Sequence, residues 1–145
     1  MLEGMIKTDL KIIKGESGSV LHSIREKDPG YIKFGEVYFS SVNNNAIKAW
    51  KLHKEMTLNL TVPTGSVLFS FFDDRKASST YNHSFQIILS KNPYFRLTVP
   101  PGIWFGFKGA GLGLNLICNL ADIIHNPSEV IRKELKDINM DWSLK

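Results

Sequence analysis

The 145 residues are enough for one ordinary domain and too few for two with separate cores. Hydrophobic residues make up 43% of the chain and charged residues 22%, and the net charge of +4 comes from scattered lysines and arginines rather than the stripe a nucleic-acid face requires, so no nucleic-acid partner is expected. The single cysteine, Cys118, excludes an intramolecular disulfide and a zinc ribbon; residues 1–14 mix Glu3, Lys7, Asp9 and Lys11 among their apolar positions, unlike a signal peptide, and no apolar run nears the ~20 residues of a membrane span. A cytoplasmic protein away from the membrane is the expectation.

In chain order, residues 19–25, 36–42 and 47–53 are the first strand candidates, with Gly30 and the run Asn43, Asn44, Asn45 as punctuation. Over 57–62, Leu58, Leu60 and Val62 alternate with Thr57, Asn59 and Thr61, giving one greasy and one polar face. Pro63, Thr64 and Gly65 break that run, and 66–72 alternates again through Val67, Phe69 and Phe71. A polar loop is expected over 76–83, then strands over 85–89 and 94–99. Pro100-Pro101-Gly102 forces a turn before strands at 103–107 and 114–120. About nine strands at this rhythm predict an all-β sandwich, jelly roll or barrel.

One helix is predicted near the end. Asn126 caps it, Pro127 suits its first position, Glu129 lies three residues after the cap, and Val130, Ile131 and Leu135 are its core-facing residues. No linker, repeat or low-complexity stretch divides the chain, which predicts one domain over 1–145.

A small barrel is either filled by side chains or holds one small ligand. Thr57, Asn59 and Thr61 on one strand, and Asn115 and Asn119 on another, either face solvent or line a polar pocket, because buried amides need partners. His53 ends its strand in the segment Ala49-Trp50-Lys51-Leu52-His53. Trp50 and Trp104 either stack on a ligand ring or belong to the core. The four histidines, His22, His53, His83 and His125, show no His-x-His pairing; His53 and Glu55 suit one strand face without a third ligand, so no metal site is expected. Gly109 to Gly113 lacks the Lys-Ser/Thr of a phosphate loop.

Several segments, taken together and in order, resemble the dTDP-4-dehydrorhamnose 3,5-epimerase family of cupins. Residues 47–53 stand where that family has Leu-Arg-Gly-Leu-His, with Leu52-His53 matching its end. Residues 65–75 resemble Gly-Glu-Val-Phe-Asp-Val-x-Val-Asp-Leu-Arg, with Gly65, Val67, Asp73 and Arg75 in step. Residues 96–107 resemble Ile-Pro-Pro-Gly-Phe-Ala-His-Gly-Phe. Ala121-Asp122, with Pro127 and Glu129 beyond it, resembles the family's Thr-Asp-Tyr-Tyr stretch with its later Pro and Glu. The likeness spans roughly residues 15–142.

The resemblance implies a cupin jelly-roll barrel, a homodimer exchanging N-terminal strands, no metal and no cofactor. Its substrate class is a nucleotide-linked 4-keto-6-deoxyhexose in cell-surface polysaccharide synthesis. A histidine base removes a hydrogen beside the ketone, and a tyrosine on the opposite face returns a proton. Carried over by position, the base is His53; Trp50, Lys51, Asn59, Arg75, Asn115 and Asn119 are the candidate substrate contacts. Asp73 with Arg75 has a plainer alternative, a salt bridge at a strand end. Glu36 and Glu134 are candidate carboxylates to orient His53.

The chain departs from the pattern. No tyrosine lies in 114–120, where Leu116 or Cys118 takes the place of the family's acid. The family's lysine after the histidine is replaced at Thr57 or Leu58, although Lys51 and Lys54 are near. Its arginine before the histidine is Trp50, its Pro-Pro-Gly histidine is Phe105, and Ser17 stands for the arginine of its N-terminal Asp-x-Arg-Gly. Three readings remain open: an epimerase or isomerase with altered chemistry, a non-catalytic binder of sugars or nucleotide sugars, or a structural dimer whose hollow is filled by Trp50, Trp104, Phe105 and Phe107.

Overall fold

The computed structural model describes residues 1–143. The strands are β1 (Ile6–Asp9), β2 (Ile12–Gly15), β3 (Gly18–Leu21), β4 (Glu36–Val42), β5 (Ile47–His53), β6 (Leu58–Thr64), β7 (Ser66–Asp73), β8 (Ser84–Ser90), β9 (Phe95–Val99), β10 (Ile103–Gly109), β11 (Asn115–Ala121) and β12 (Val130–Arg132). They build two antiparallel sheets, ordered β1-β9-β6-β11-β4 and β12-β5-β10-β7-β8, with β2 and β3 forming a separate hairpin. This is one of the all-β architectures that the alternation predicted, the jelly roll that the family resemblance implied. The expected loop over 76–83 is present between β7 and β8.

The inner faces carry the apolar half of each alternation. Leu58, Leu60 and Val62 of β6, Leu97 and Val99 of β9 and Ile117 of β11 pack with Val67, Phe69 and Phe71 of β7 and Ile103 and Phe105 of β10 in one buried cluster. The break between β6 and β7 is tighter than the sequence suggested, since β6 runs on to Thr64 and Gly65 alone makes the turn. Its φ is +80°, and a Cβ there would lie 2.4 Å from the Leu114 carbonyl oxygen, so only glycine fits without strain.

Both sheets are also partly covered on their outer faces. Residues 22–35 lie over the first sheet: Gly30 accepts a hydrogen bond from Asn59 Nδ2 (3.1 Å), and the buried Arg96 guanidinium donates to the carbonyls of Ser23 and Pro29 (2.6 Å each). Residues 133–142 lie over the second sheet, where Ile138, Met140 and Trp142 pack on Trp50, Trp104, Leu52 and Phe72.

The predicted C-terminal helix is not formed. Asn126 does cap a turn, with Oδ1 accepting from the Ser128 amide (3.0 Å), and Pro127 occupies the first position, but the turn is a single 3-10 one over Pro127–Glu129. The β-branched Val130 and Ile131 then extend and pair with the otherwise open edge of β5, and a second short 3-10 turn follows at Leu135–Asp137. Ile131 and Leu135, expected to face the core, are exposed. Two N-terminal strands were not anticipated, because β1 and β2 are four residues each and are interrupted by charge. The strand expected over 19–25 stops at Leu21, where its hairpin partner ends.

Candidate functional site

Between the two sheets lies a hollow, open to solvent at its mouth, with walls from both. The first sheet contributes Tyr38 and Ser40 of β4, Leu58 and Leu60 of β6, and Ile117 and Asn119 of β11. The second contributes Lys51 and His53 of β5, Phe69, Phe105 and Phe107, and Val130, with His125 from the segment after β11. Seven of these are aliphatic or phenyl groups, so the polar ones stand out against an apolar wall.

His53 is held from three sides. Its carbonyl accepts from the Gly102 amide (2.7 Å), which ties the end of β5 to the Pro-Pro-Gly turn. Its ring stacks on Phe105, with centroids 5.7 Å apart and planes 17° from parallel. Its Nδ1 is hydrogen-bonded to Oε1 of Glu129. Both partners are buried, at 6% and 5% exposure.

Burial by itself would raise the Glu129 carboxyl. The hydrogen bond and charge of His53, with the amides of Glu55 and Met56 directed at Oε2 (3.3 and 3.4 Å), hold it below the ordinary glutamate value instead. A carboxylate bound to Nδ1 fixes the ring and leaves Nε2 to work. The carboxylate is neither Glu36, which accepts from the His125 amide (3.0 Å), nor Glu134, which closes a capping box with Asp137 on the surface. Glu129 carried two sequence signals, the cap spacing and the family likeness, and neither revealed its partner 76 positions away.

Tyr38 was missed altogether. In β4 the apolar Val37 and Phe39 suggest the inward face, yet they are 50% and 63% exposed, and Tyr38 and Ser40 take the inner side. The Tyr38 oxygen accepts from Asn119 Nδ2 (2.9 Å). Burial raises the phenol's pKa, the Asn119 hydrogen bond opposes this, and the negative Glu36 and Glu129 raise it further, for a net upward shift.

At the mouth the hollow continues into a groove lined by Lys48, Ala49, Lys51, Ser40, Phe105, Phe107 and Arg132. Arg132 stands directly opposite Lys51 in the β5–β12 pairing. Burial first, then the like charges of Arg132 and Lys48, push the Lys51 ammonium below its usual pKa. Three cations thus converge beside the hollow, a ready place for an anion. A separate hollow near the N-terminus, lined by Thr8, Asp9, Lys11, His22, Arg25 and Asp28, has its Arg25 and Asp28 already paired at 2.8 Å.

Of the residues singled out from the sequence, His53, Lys51 and Asn119 meet at the hollow, and four do not. Asn59 points outward, where its amide donates to Gly30 and accepts from Thr98 Oγ1 (2.7 Å), because the outer face of β6 is buried under residues 22–35. Trp50 is on the outer face of the second sheet against Trp142, its centroid 5.3 Å away, and its indole N–H donates to the Leu135 carbonyl (3.3 Å). Asn115 sits inward but at the far end, tying the 110–114 loop to β7. Arg75 forms the strand-end salt bridge with Asp73 (2.8 Å).

Trp104 also lies outside, under the Lys133 ammonium at 4.5 Å. The indoles therefore do not plug the hollow, while Phe105 and Phe107 form part of its wall. Leu116 and Cys118 belong to the outward half of β11 and stand in for no acid. Among the described residues no three of His, Cys, Asp and Glu converge to hold a metal ion.

No protein-family model matches the chain, and no curated protein matches it. Solved structures do. A dTDP sugar isomerase from Desulfovibrio desulfuricans G20 superposes with a TM-score of 0.93 and is 35% identical over 98% of this chain and 94% of its own. A dTDP-4-dehydrorhamnose 3,5-epimerase from Elizabethkingia anophelis NUHP1 gives 0.83 at 18% identity, over 99% of this chain and 84% of its own. A sugar 3,4-ketoisomerase from Thermoanaerobacterium thermosaccharolyticum, solved in complex with TDP, gives 0.76 at 19% identity, over 92% and 90%. The last two show the shared fold, and the first shows kinship: this chain belongs to the family of dTDP sugar isomerases and dTDP-4-dehydrorhamnose 3,5-epimerases.

Proposed function

We propose that the protein is an epimerase acting on a nucleotide-linked 4-keto-6-deoxyhexose, with His53 as the general base. The observation that carries this reading is the buried His53–Glu129 pair facing a hollow whose mouth is ringed by Lys48, Lys51 and Arg132.

A ketone acidifies the hydrogens on its neighbouring carbons because the electron pair left behind spreads onto oxygen. His53 Nε2 takes such a proton, and the imidazolium it becomes is stabilised by Glu129 through Nδ1. The charge appearing on the sugar oxygen is met by the Lys51 ammonium, which stands on the same face of β5 as His53. Lys48 and Arg132 take the diphosphate, Lys51 beside them adds its charge to that site as well, and the apolar wall keeps water from the reacting carbon. The reaction moves protons only, so it needs no redox cofactor.

The solved relatives support a nucleotide-linked sugar as the ligand: the 35%-identical structure is that of a dTDP sugar isomerase, and a ketoisomerase of the same fold was solved with TDP. The pathway we assign is cell-surface polysaccharide synthesis in the cytoplasm, with a homodimer as the working unit. For the dimer, support comes from exposed Val37 and Phe39 on the edge strand β4 and Ile13 and Val20 on the β2–β3 hairpin.

The test is solvent exchange. In D₂O the protein should introduce deuterium beside the ketone of a thymidine-diphosphate-linked 4-keto-6-deoxyhexose, and His53→Asn should slow this by about 10³-fold. A rise in melting temperature with dTDP but no exchange in the wild type would make it a binding protein instead.

A further inference from the structure

Inversion at a carbon needs a donor on the wall facing the base, because a proton returned by His53 itself restores the starting configuration. His53 lies on the second sheet. The facing wall, from the first sheet, offers three groups that carry a transferable hydrogen, the Tyr38 phenol, the Ser40 hydroxyl and the Asn119 amide. A serine hydroxyl and a carboxamide are far too weakly acidic to protonate an enolate without further activation. Tyrosine, with an ordinary pKa of about 10, lies within range.

The hydrogen bonding of Asn119 decides where the phenol's own hydrogen goes. Asn119 Oδ1 accepts the backbone N–H of Asn59 at 3.0 Å. That fixes which end of the amide is which, so the atom 2.9 Å from the Tyr38 oxygen is Nδ2, a donor. The Tyr38 oxygen is thus an acceptor in this contact. Its hydrogen is left for whatever occupies the hollow, and the Asn119 amide is placed to stabilise the phenolate that forms when that hydrogen leaves.

We infer that Tyr38, held by Asn119, is the proton donor of this enzyme, delivering hydrogen to the face of the sugar opposite His53; the inference rests on His53 being the base. In the forward step the C–H bond breaks, its proton forms a bond to His53 Nε2, and the electron pair becomes the enolate. In the return step the Tyr38 O–H bond breaks and its proton forms the new C–H bond on the other face. The cycle leaves an imidazolium and a phenolate, which exchange one proton through solvent to reset. The upward shift of the phenol keeps it protonated, and so ready to donate, at neutral pH. Asn119 is a positioning residue in this scheme. The tyrosine expected on β11 is absent, and the neighbouring strand β4 supplies one in its place, held by a β11 amide.

The experiment is Tyr38→Phe assayed in D₂O on a thymidine-diphosphate-linked 4-keto-6-deoxyhexose, following deuterium entry and inverted product separately by NMR. The substitution removes one oxygen from a partly exposed ring, and a dTDP-dependent rise in melting temperature equal to wild type checks that the fold and nucleotide site persist. The expected result is exchange within about threefold of wild type, because His53 still removes and returns the proton, with inversion lower by at least about 10²-fold. Inversion at the wild-type rate in Tyr38→Phe overturns the inference while leaving His53 as base. So does equal loss of exchange and inversion in a variant that still binds dTDP, and so does wild-type exchange that gives no inverted product. A wild type that exchanges nothing overturns the reading of His53, and this inference with it.

Discussion

Val130 stands opposite His53 in the β5–β12 register, one residue after Glu129, so the pairing of a three-residue strand is what delivers a carboxylate to the imidazole. Glu129 contributes charge as well as orientation. In Glu129→Gln the side chain has nearly the same shape and still offers an oxygen to Nδ1, but the imidazolium formed in the reaction loses its counter-ion. Deuterium exchange should fall by about 10²-fold, with the apparent affinity for dTDP unchanged within about twofold. A Gln variant with wild-type exchange rates would mean that Glu129 only holds the turn at 127–129 in place.

Lys51, Arg132 and Lys48 raise one another's electrostatic energy in the free protein, a cost that a bound diphosphate converts into attraction. Lys51→Ala and Arg132→Ala should each weaken dTDP binding about tenfold, roughly 1.4 kcal/mol, as read by calorimetry at fixed salt. Neither should lower the melting temperature of the free protein, since each removes a like-charge contact. The pH dependence comes from the depressed Lys51 value: the protonated form binds the anion, so affinity is retained at neutral pH and lost as pH rises through a value below the ordinary ~10.4. Equal affinity in all variants would place the diphosphate elsewhere.

The strands were legible because their alternation stems directly from the pleat, and β4 and β5 match the expected bounds residue for residue. What alternation does not encode is which face meets the hollow. Thr57, Asn59 and Thr61 look like a pocket-lining face or a solvent face. Asn59 is instead buried outward, because residues 22–35 supply a second layer that no local pattern announces, and Thr57 and Thr61 are buried as well. Trp50 was misplaced for the same reason, its cover being residues 133–142. Tyr38 was invisible because its strand exposes Val37 and Phe39 and turns its polar residues inward, the reverse of the usual rule. Glu129 was noticed for its local cap spacing, and only the tertiary pairing of β12 revealed its partner.

Asn115 looked like a ligand contact and is instead a fastening. It is fully buried and accepts from the amides of Ser66 (2.9 Å) and Gly111 (3.0 Å) while its Nδ2 donates to the carbonyls of Val42 (3.1 Å) and Gly111 (2.9 Å). Asn115→Ala strands several of those backbone groups without partners, which should cost about 2–4 kcal/mol of unfolding free energy in a urea titration. The dTDP-induced shift in melting temperature should be that of wild type. A selective loss of dTDP binding, with stability unchanged, would return Asn115 to the ligand site.

Asp73 is the acceptor at the centre of a buried network at the end of β7. Its carboxylate takes hydrogen bonds from the Arg75 amide (3.0 Å) and guanidinium (2.8 Å from both Nε and Nη2), from Ser78 Oγ (2.6 Å) and from Thr80 Oγ1 (2.7 Å). Arg75 Nη2 also donates to the Glu3 carbonyl (2.7 Å), which ties the N-terminus to this loop. Burial would raise the carboxyl, but the arginine and the two hydroxyls hold it well below the usual aspartate range. A folded value below the unfolded one, about 3.9, means that the stabilisation is complete above that pH and is lost as pH falls from there toward the folded value. Asp73→Asn leaves Arg75 without its counter-ion and should cost about 3 kcal/mol, a fall of roughly 10 °C in melting temperature at pH 7. Because none of Asp73, Arg75, Ser78 and Thr80 lines the hollow, exchange per folded molecule should stay at the wild-type rate. The difference in stability between wild type and Asp73→Asn should shrink steadily as the titration is repeated below pH 4, and a constant difference would mean that the ionised carboxylate is not what holds this corner together.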